Sequence, residues 1–385
     1  MYSMLQSRVM HTFDVVIVGG GVMGASAACE LASDGARVAL IDQTSLPNPR
    51  AASVDHSKVF RYAYPEPLYV NLAVDALKRW QELESKTGRH VLTQTGALLL
   101  GKSEPSFELD CYQAMRTAGV QTEKLDAREA TKRFSQFNGN AFTYAVYDPS
   151  GAILHAETAV RALIDLASSR VKIVEGERVT SIVDRDPTIV VATAQGSRFE
   201  CECAMVSAGP WSRKLPFLEA ELTTTRQEIV YFAPLRPSDA LTFAPDRFPI
   251  FLELDTGFYG FPIHHSGAMK IANHHKGPMV DPDKNDNPVD EEFISRCRKF
   301  FSEFIPALSD AMVLETRVCI YNNTPDDDFI IDWHPQLDRV LVVTGFSGHG
   351  FKFGPTIGRI AADLLQKHST PFNVDRFSFA RFNKV

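Results

Sequence analysis

Positions 13–18 are dominated by apolar residues, and four consecutive β-branched side chains, Val15 to Val18, run into a glycine cluster. That pattern predicts a buried strand. Residues 23–33 read as a helix, Gly35 ends it, and the run 37–42 predicts a second strand. Strand, helix and strand within about 30 residues make a βαβ unit with a right-handed parallel crossover. Within 68–84, Leu72, Leu77, Trp80 and Leu83 recur at helical spacing, and Gly96 and Gly101 bracket a short apolar strand. Residues 156–168 predict a further helix, 171–174 a strand, and 182–206 a hairpin-like stretch. At 340–344 an apolar strand enters a glycine-rich loop. A helix follows, with Ile357, Ile360, Ala361, Leu364 and Leu365 on one face. Signals of the nucleotide-binding type thus fall at the beginning, around 171–211 and at the end. The expectation is an α/β domain interleaved with an α+β one.

Composition narrows the classes. A chain of 385 residues should form two domains, and its 23 glycines and 22 prolines leave no room for a low-complexity reading. Lys and Arg number 40 against 47 Asp and Glu, a net charge of -7, with no block of five like charges, so nucleic acid is not an expected partner. The uncharged run from Val15 to Cys29 is shorter than the roughly 18 residues that cross a bilayer. No membrane anchor, signal peptide or peroxisomal tripeptide is expected, and the default compartment is the cytoplasm. The six cysteines, at 29, 111, 201, 203, 297 and 319, show no metal-ligand spacing and read as reduced thiols.

Gly19-Gly20-Gly21-Val22-Met23-Gly24 satisfies G-x-G-x-x-G between the first strand and the first helix. Gly19 permits the tight turn, Gly21 lets the backbone approach a pyrophosphate at the helix N-terminus, and Gly24 lets helix and strand pack closely. Asp42, 18 residues after Gly24, ends the second strand where a carboxylate accepts ribose hydroxyls. The loop by itself does not separate NAD from FAD.

Two later segments do. Residues 317–332 contain Cys319-Ile320-Tyr321-Asn322-Asn323-Thr324-Pro325-Asp326, and residues 345–353 read Gly-Phe-Ser-Gly-His-Gly-Phe-Lys-Phe. With Phe60-Arg61-Tyr62-Ala63-Tyr64, the segments 95–101, 207–211 and 259–262, and Met269-Lys270 followed by His274, they closely resemble the monomeric sarcosine oxidase and pipecolate oxidase family of flavoenzymes. The resemblance covers nearly the whole chain. It implies a Rossmann-like FAD-binding domain (11–88, 151–221 and 323–385) interleaved with a mixed-sheet substrate domain (89–150 and 222–322). It further implies an FAD-dependent oxidase of a secondary α-amino acid, monomeric, that gives an imine and H2O2.

The family pattern assigns the residues. Cys319 would carry FAD covalently at the flavin 8α position, a thiolate being a strong nucleophile. Ser57, Lys58, Val179, Ala208, Gly209, Gly348, Gly350 and Lys352 would line the cofactor beside Gly19, Gly21, Gly24 and Asp42. Arg61 and Lys352 would hold the substrate carboxylate, with Tyr321 and His349 in the substrate pocket, and Lys270, His274, Lys58 and Tyr259 would act in catalysis. Lys270, flanked by Met269 and Ile271, would place its cation where oxygen is reduced. In one place the pattern departs. Within 55–61, Lys58 stands where the family has an arginine, and lysine lacks the planar fork. This feature resembles the related amadoriases, so a fructosyl amino acid oxidase is the alternative; an NAD(P)-dependent dehydrogenase and a non-catalytic flavoprotein stand behind it.

Other motifs are expected to be inert. Asp281, Asp283, Asn285 and Glu292 mimic a calcium loop, but the sixth position is Asp286 and Pro288 follows. The histidines 264, 265, 274 and 275 have no cysteine or carboxylate at ligand spacing, so no metal is expected.

Overall fold

The computed structural model describes residues 11–285 and 288–383; positions 286 and 287 of the calcium-loop mimic lie outside the described residues. The chain forms two units, one from the N-terminal part to residue 54 with 157–223 and the part from 322 onward, the other from 55–156 and 224–321.

In the first unit the strand His11–Val18 pairs in parallel with Val38–Ile41 on one side and Arg198–Val206 on the other, and Val171–Val174 extends the sheet, again in parallel. Val16, Ile17, Ala39, Leu40 and Val206 are wholly buried, as expected of a parallel sheet covered on both faces. The long strand Arg198–Val206 divides its outer edge. Its first half pairs antiparallel with Thr188–Thr193, which continues to Val179–Arg185, while Ala204 to Val206 pair in parallel with the strand Leu337–Thr344. The hairpin-like stretch is therefore three antiparallel strands. Helices Val22–Ser33 and Gly354–Leu365 pack closely because Gly358 has no side chain: a Cβ there would lie 2.4 Å from the Cβ of Ser26.

The second unit is built on an eight-stranded mixed sheet in the order Met312–Asn323, Thr223–Ala233, Ala268–Asn273, Phe258–His265, Ile250–Glu253, Ala97–Gly101, Tyr144–Asp148, Glu123–Asp126. Ile250–Glu253 runs antiparallel to Phe258–His265 and parallel to Ala97–Gly101. The helix Glu291–Phe304 buries Phe293, Cys297, Phe300, Phe301 and Phe304, a stripe at spacings of three and four, and Asp290 caps it by accepting from the Glu292 amide at 3.0 Å. A separate three-stranded sheet sets Ala152–Leu154 between Lys58–Phe60 and Leu92–Gln94.

The α/β and mixed-sheet architecture is the one expected. Residues 55–88 and 151–156, both given above to the FAD-binding domain, lie in the second unit. Lys58–Phe60 takes its hydrogen bonds from Ala152–Leu154, and the helix Pro67–Thr87 packs on Phe107–Thr117.

Candidate active site

In the first unit the glycine turn follows His11–Val18. Gly19 has φ +102°, where a Cβ would lie 2.5 Å from the Ser207 carbonyl oxygen, and a Cβ at Gly24 would lie 1.9 Å from the carbonyl oxygen of Gly19. No other residue fits at either position. Gly21 caps the helix Val22–Ser33 with no side-chain acceptor and no acid in the first turn; Ser53 Oγ accepts from the Val22 amide at 3.0 Å. Asp42 is buried beside the turn. Its Oδ2 accepts from the Gly20 amide at 2.9 Å and its Oδ1 from Asn48 Nδ2 and the Thr44 amide, both at 3.1 Å. Burial pushes its carboxyl up, against the pull of those donors. A cradle that no Cβ can enter, at the positive end of an acid-free helix, fits the pyrophosphate of FAD.

Nearby elements complete this unit. Val179 opens the strand Val179–Arg185, and Ala208 precedes Gly209, whose carbonyl accepts from Asn322 Nδ2 at 2.9 Å. In the 345–353 loop Ser347 is left-handed at φ +46°, held there because its amide donates to Asn322 O at 2.9 Å and its Oγ accepts from the Thr324 amide at 3.2 Å. Gly348 is also left-handed, and a Cβ at Gly350 would strike the Phe346 side chain at 2.5 Å. Lys352 is buried and donates to His349 O at 2.7 Å; His349 lies against Phe329, its Nε2 3.0 Å from Asp327 O. The helix Gly354–Leu365 then starts with Pro355 in its first turn and neither a side-chain cap nor an acid there.

In the second unit, three cations, Lys270, Lys58 and Arg317, come together at one carboxylate, Asp55. Lys270, on Ala268–Asn273, is 1% exposed, and its ammonium donates to Asp55 Oδ2 at 2.5 Å and Ser57 O at 2.7 Å. Asp55, 2% exposed, also has Lys58 at 3.8 Å and Arg317 at 3.9 Å, and its Oδ1 accepts from the Tyr231 hydroxyl at 3.1 Å. Burial works to raise the Asp55 carboxyl, but Lys270, Lys58 and Arg317 together hold it well below the usual carboxylate range. Lys58 Nζ stands 3.5 Å from Cys319 Sγ. Burial disfavours the Lys58 cation, and Cys319 and Asp55 outweigh it, so its affinity for the proton rises.

Tyr259 and Tyr321 share a hydrogen bond beside this group; burial pushes Tyr259 up to about 12 and Tyr321 well above its ordinary value, so both remain neutral phenols. The ring of His274 lies 5.8 Å from that of Tyr321. Ser57 Oγ is 2.8 Å from His264 Nε2, while His264 Nδ1 is 2.7 Å from Pro262 O. A carbonyl only accepts, so Nδ1 carries the proton and Nε2 accepts from Ser57. Arg61 is 8% exposed, stacks over Tyr64 at 4.3 Å, and its Nη1 has no hydrogen-bond partner among the described residues.

Sequence reasoning missed Asp55, Tyr231 and Arg317, and the ties of His264. It also missed a cluster of metal-ligating types, His56, His265 and Glu315, whose ligand atoms lie within 4.8 Å of one another. His56 and His265 stack at 3.5 Å. The place a cation would take there is filled by Arg317, whose Nη1 donates to His56 Nε2 at 2.8 Å and whose Nε lies 3.8 Å from Glu315.

A glycine cradle on the parallel sheet of one unit, in a chain whose other, mixed-sheet unit carries buried cations, defines an FAD-binding oxidoreductase. Residues 14–364 match the model of the FAD dependent oxidoreductase family, DAO, and this decides for FAD over NAD. The chain is 32% identical over 384 residues to the peroxisomal sarcosine oxidase of Homo sapiens, covering 96% of each, and 32% identical over 383 residues to the monomeric sarcosine oxidase of Bacillus sp. (strain B-0618), again 96% of each. It belongs to the monomeric sarcosine oxidase family of FAD-dependent amine oxidases. Solved structures share the fold. An L-proline dehydrogenase from P. horikoshii superposes with a TM-score of 0.85 at 20% identity, covering 98% of this chain and 99% of that one. Amadoriase I from Aspergillus fumigatus gives 0.77 at 23% identity, covering 97% and 90%. Among the described residues no helix is long and apolar enough to cross a membrane.

Proposed function

We propose that the enzyme oxidises a secondary α-amino acid, an N-methyl amino acid or a cyclic imino acid, to the imine, and passes the electrons to O2 as H2O2. The observation that carries the substrate class is the buried Arg61 Nη1 with no partner among the described residues. A desolvated guanidinium N–H left unused is costly, and a carboxylate offers the charge-assisted bond that relieves it. The family pattern gives Lys352 the same anion. Relatives support the amine: they include sarcosine oxidases and, at 28% identity, an N-methyl-L-tryptophan oxidase of Yersinia pestis.

Bound FAD supplies the two-electron acceptor for the C–H bond next to the substrate nitrogen. The chain does the rest. Arg61 orients the acid, which converts diffusion of the amine into a fixed approach. Tyr259 and Tyr321, held neutral, line the pocket with His274 and add no charge that would keep the amine protonated. Lys270 supplies a fixed cation for the negative charge that develops on oxygen. The acid-free N-terminus of Gly354–Leu365 offers a positive end for the reduced cofactor's charge. Cys319 would hold the cofactor covalently, as the family pattern implies, with the Lys58 ammonium 3.5 Å from its sulfur to fix its position.

The test is peroxide release on a panel of sarcosine, other N-methyl amino acids, pipecolate, proline and fructosyl amino acids. Release with an N-methyl or cyclic acid is expected. Release with fructosyl amino acids alone would move the enzyme to the amadoriase reading that Lys58 invites, and no release with any of them would overturn the proposal.

A further inference from the structure

Lys270 is held on three sides. Two of its N–H bonds go to Asp55 Oδ2 at 2.5 Å and Ser57 O at 2.7 Å, and its ammonium faces the Phe261 ring at 4.8 Å. An ammonium removed from water escapes the cost by losing its proton, and Lys58 pushes Lys270 the same way by repulsion. Among the described residues, the titratable and charged groups around Lys270 and its partners Asp55 and Lys58 come from four elements. Tyr259 and His264 come from Phe258–His265, Tyr231 from Thr223–Ala233, Lys58 from Lys58–Phe60, and Arg317 and Cys319 from Met312–Asn323. The phenols and His264 are neutral, and Lys58 and Arg317 are cations. Asp55 is the carboxylate in contact with Lys270, 215 residues away in sequence.

Resting on the reading of Lys270 as the oxygen-reducing cation, we infer that Asp55 is a positioning residue for Lys270, fixing where its ammonium stands and keeping it protonated. The geometry makes Asp55 more than a filler of space. Its Oδ1 is tied to the Tyr231 hydroxyl at 3.1 Å, which aims Oδ2 at Lys270. Asn at this position would still accept from Tyr231, but its amide would then turn N–H groups towards Lys270. Donor faces donor, and the contact is tolerable only if Lys270 becomes a neutral amine that accepts.

The experiment reads the proton directly. In enzyme labelled with 13C at lysine Cε, the Lys270 signal is the one missing from Lys270→Met. In the wild type it should stay in the charged position through about pH 8; in Asp55→Asn its midpoint should fall below about pH 7. In stopped flow, reoxidation of the reduced Asp55→Asn enzyme should slow at least about 10-fold as pH rises through that midpoint, while anaerobic reduction by substrate stays nearly level. Asp55→Glu, which restores the charge, should remove the pH dependence. A wild-type Lys270 that titrates below pH 8 overturns the inference even if Asp55→Asn does not fold, as does an Asp55→Asn enzyme whose Lys270 stays charged. If Lys270→Met reoxidises at the wild-type rate, the oxygen role fails, and the NMR titration still decides whether Asp55 holds the proton.

Discussion

The ammonium of Lys58 stands 3.5 Å from the sulfur of Cys319, on a side chain only 17% exposed. The family pattern makes Cys319 the attachment point of FAD, and the Lys58 ammonium, in contact with the sulfur, would fix where it stands. Mass spectrometry of the denatured chain is therefore expected to show one added FAD. Cys319→Ala should release the flavin on denaturation, and Lys58→Met should lower the covalently loaded fraction. A wild-type chain that is fully loaded before denaturation and unmodified after it refutes the attachment.

Lys270→Met should slow reoxidation of the reduced enzyme by about 100-fold or more, the size of effect seen when one fixed charge is removed from a developing anion. Anaerobic reduction by the amino acid should change far less, because the proposed function has Lys270 act on oxygen and Arg61 on the substrate. Equal slowing of the two half-reactions would mean that the site has collapsed around the unpaired Asp55.

What was legible in the sequence was local. The strand, glycine turn, helix and acid at Asp42 declare themselves because the sterics that require glycine at 19 and 24 act within a few residues. Lys270 could be placed in the interior from Met269 and Ile271 alone. Its partner could not, since Asp55 lies 215 residues away in the segment just before the strand Lys58–Phe60 and meets Lys270 only through the tertiary fold. The histidines 264 and 265 show the same limit. Their carboxylate, hydroxyl and carbonyl neighbours, Glu315, Ser57 and Pro262, come mostly from other elements, so ligand spacing along the chain says nothing about them. The helix Pro67–Thr87 lies in the second unit, and no linker in the sequence separates it from the nucleotide-type segment before it.

Arg61→Ala should weaken binding of the amino acid roughly 30-fold or more, since truncating one partner of a desolvated charge pair costs about 2–5 kcal/mol. Lys352→Ala is expected to do the same. The loss should be specific to the acid: the decarboxylated amine should bind the wild type poorly and ignore both substitutions. If analogues lacking the carboxylate turn over as fast as the parent acid, the assignment of an amino acid substrate is wrong.

Acid stability should depend on His264. Burial pushes its imidazole down to about 4, although the bond to Pro262 O works the other way. The unfolded chain binds a proton at this position below about pH 6.5, and the folded one refuses it until about pH 4. Between those values the unfolded state holds more protons, so stability falls as the pH drops through that window and the contribution levels off below it. The full span corresponds to about 3 kcal/mol, less what residual solvent contact screens. His56 and His155, also depressed by burial, add to the same slope, so the informative quantity is the difference between proteins. His264→Gln, which still offers Ser57 an acceptor, should flatten the loss of stability between pH 6.5 and pH 4 in urea unfolding of the holoenzyme. A variant with the wild-type slope would show that His264 takes up its proton as readily folded as unfolded.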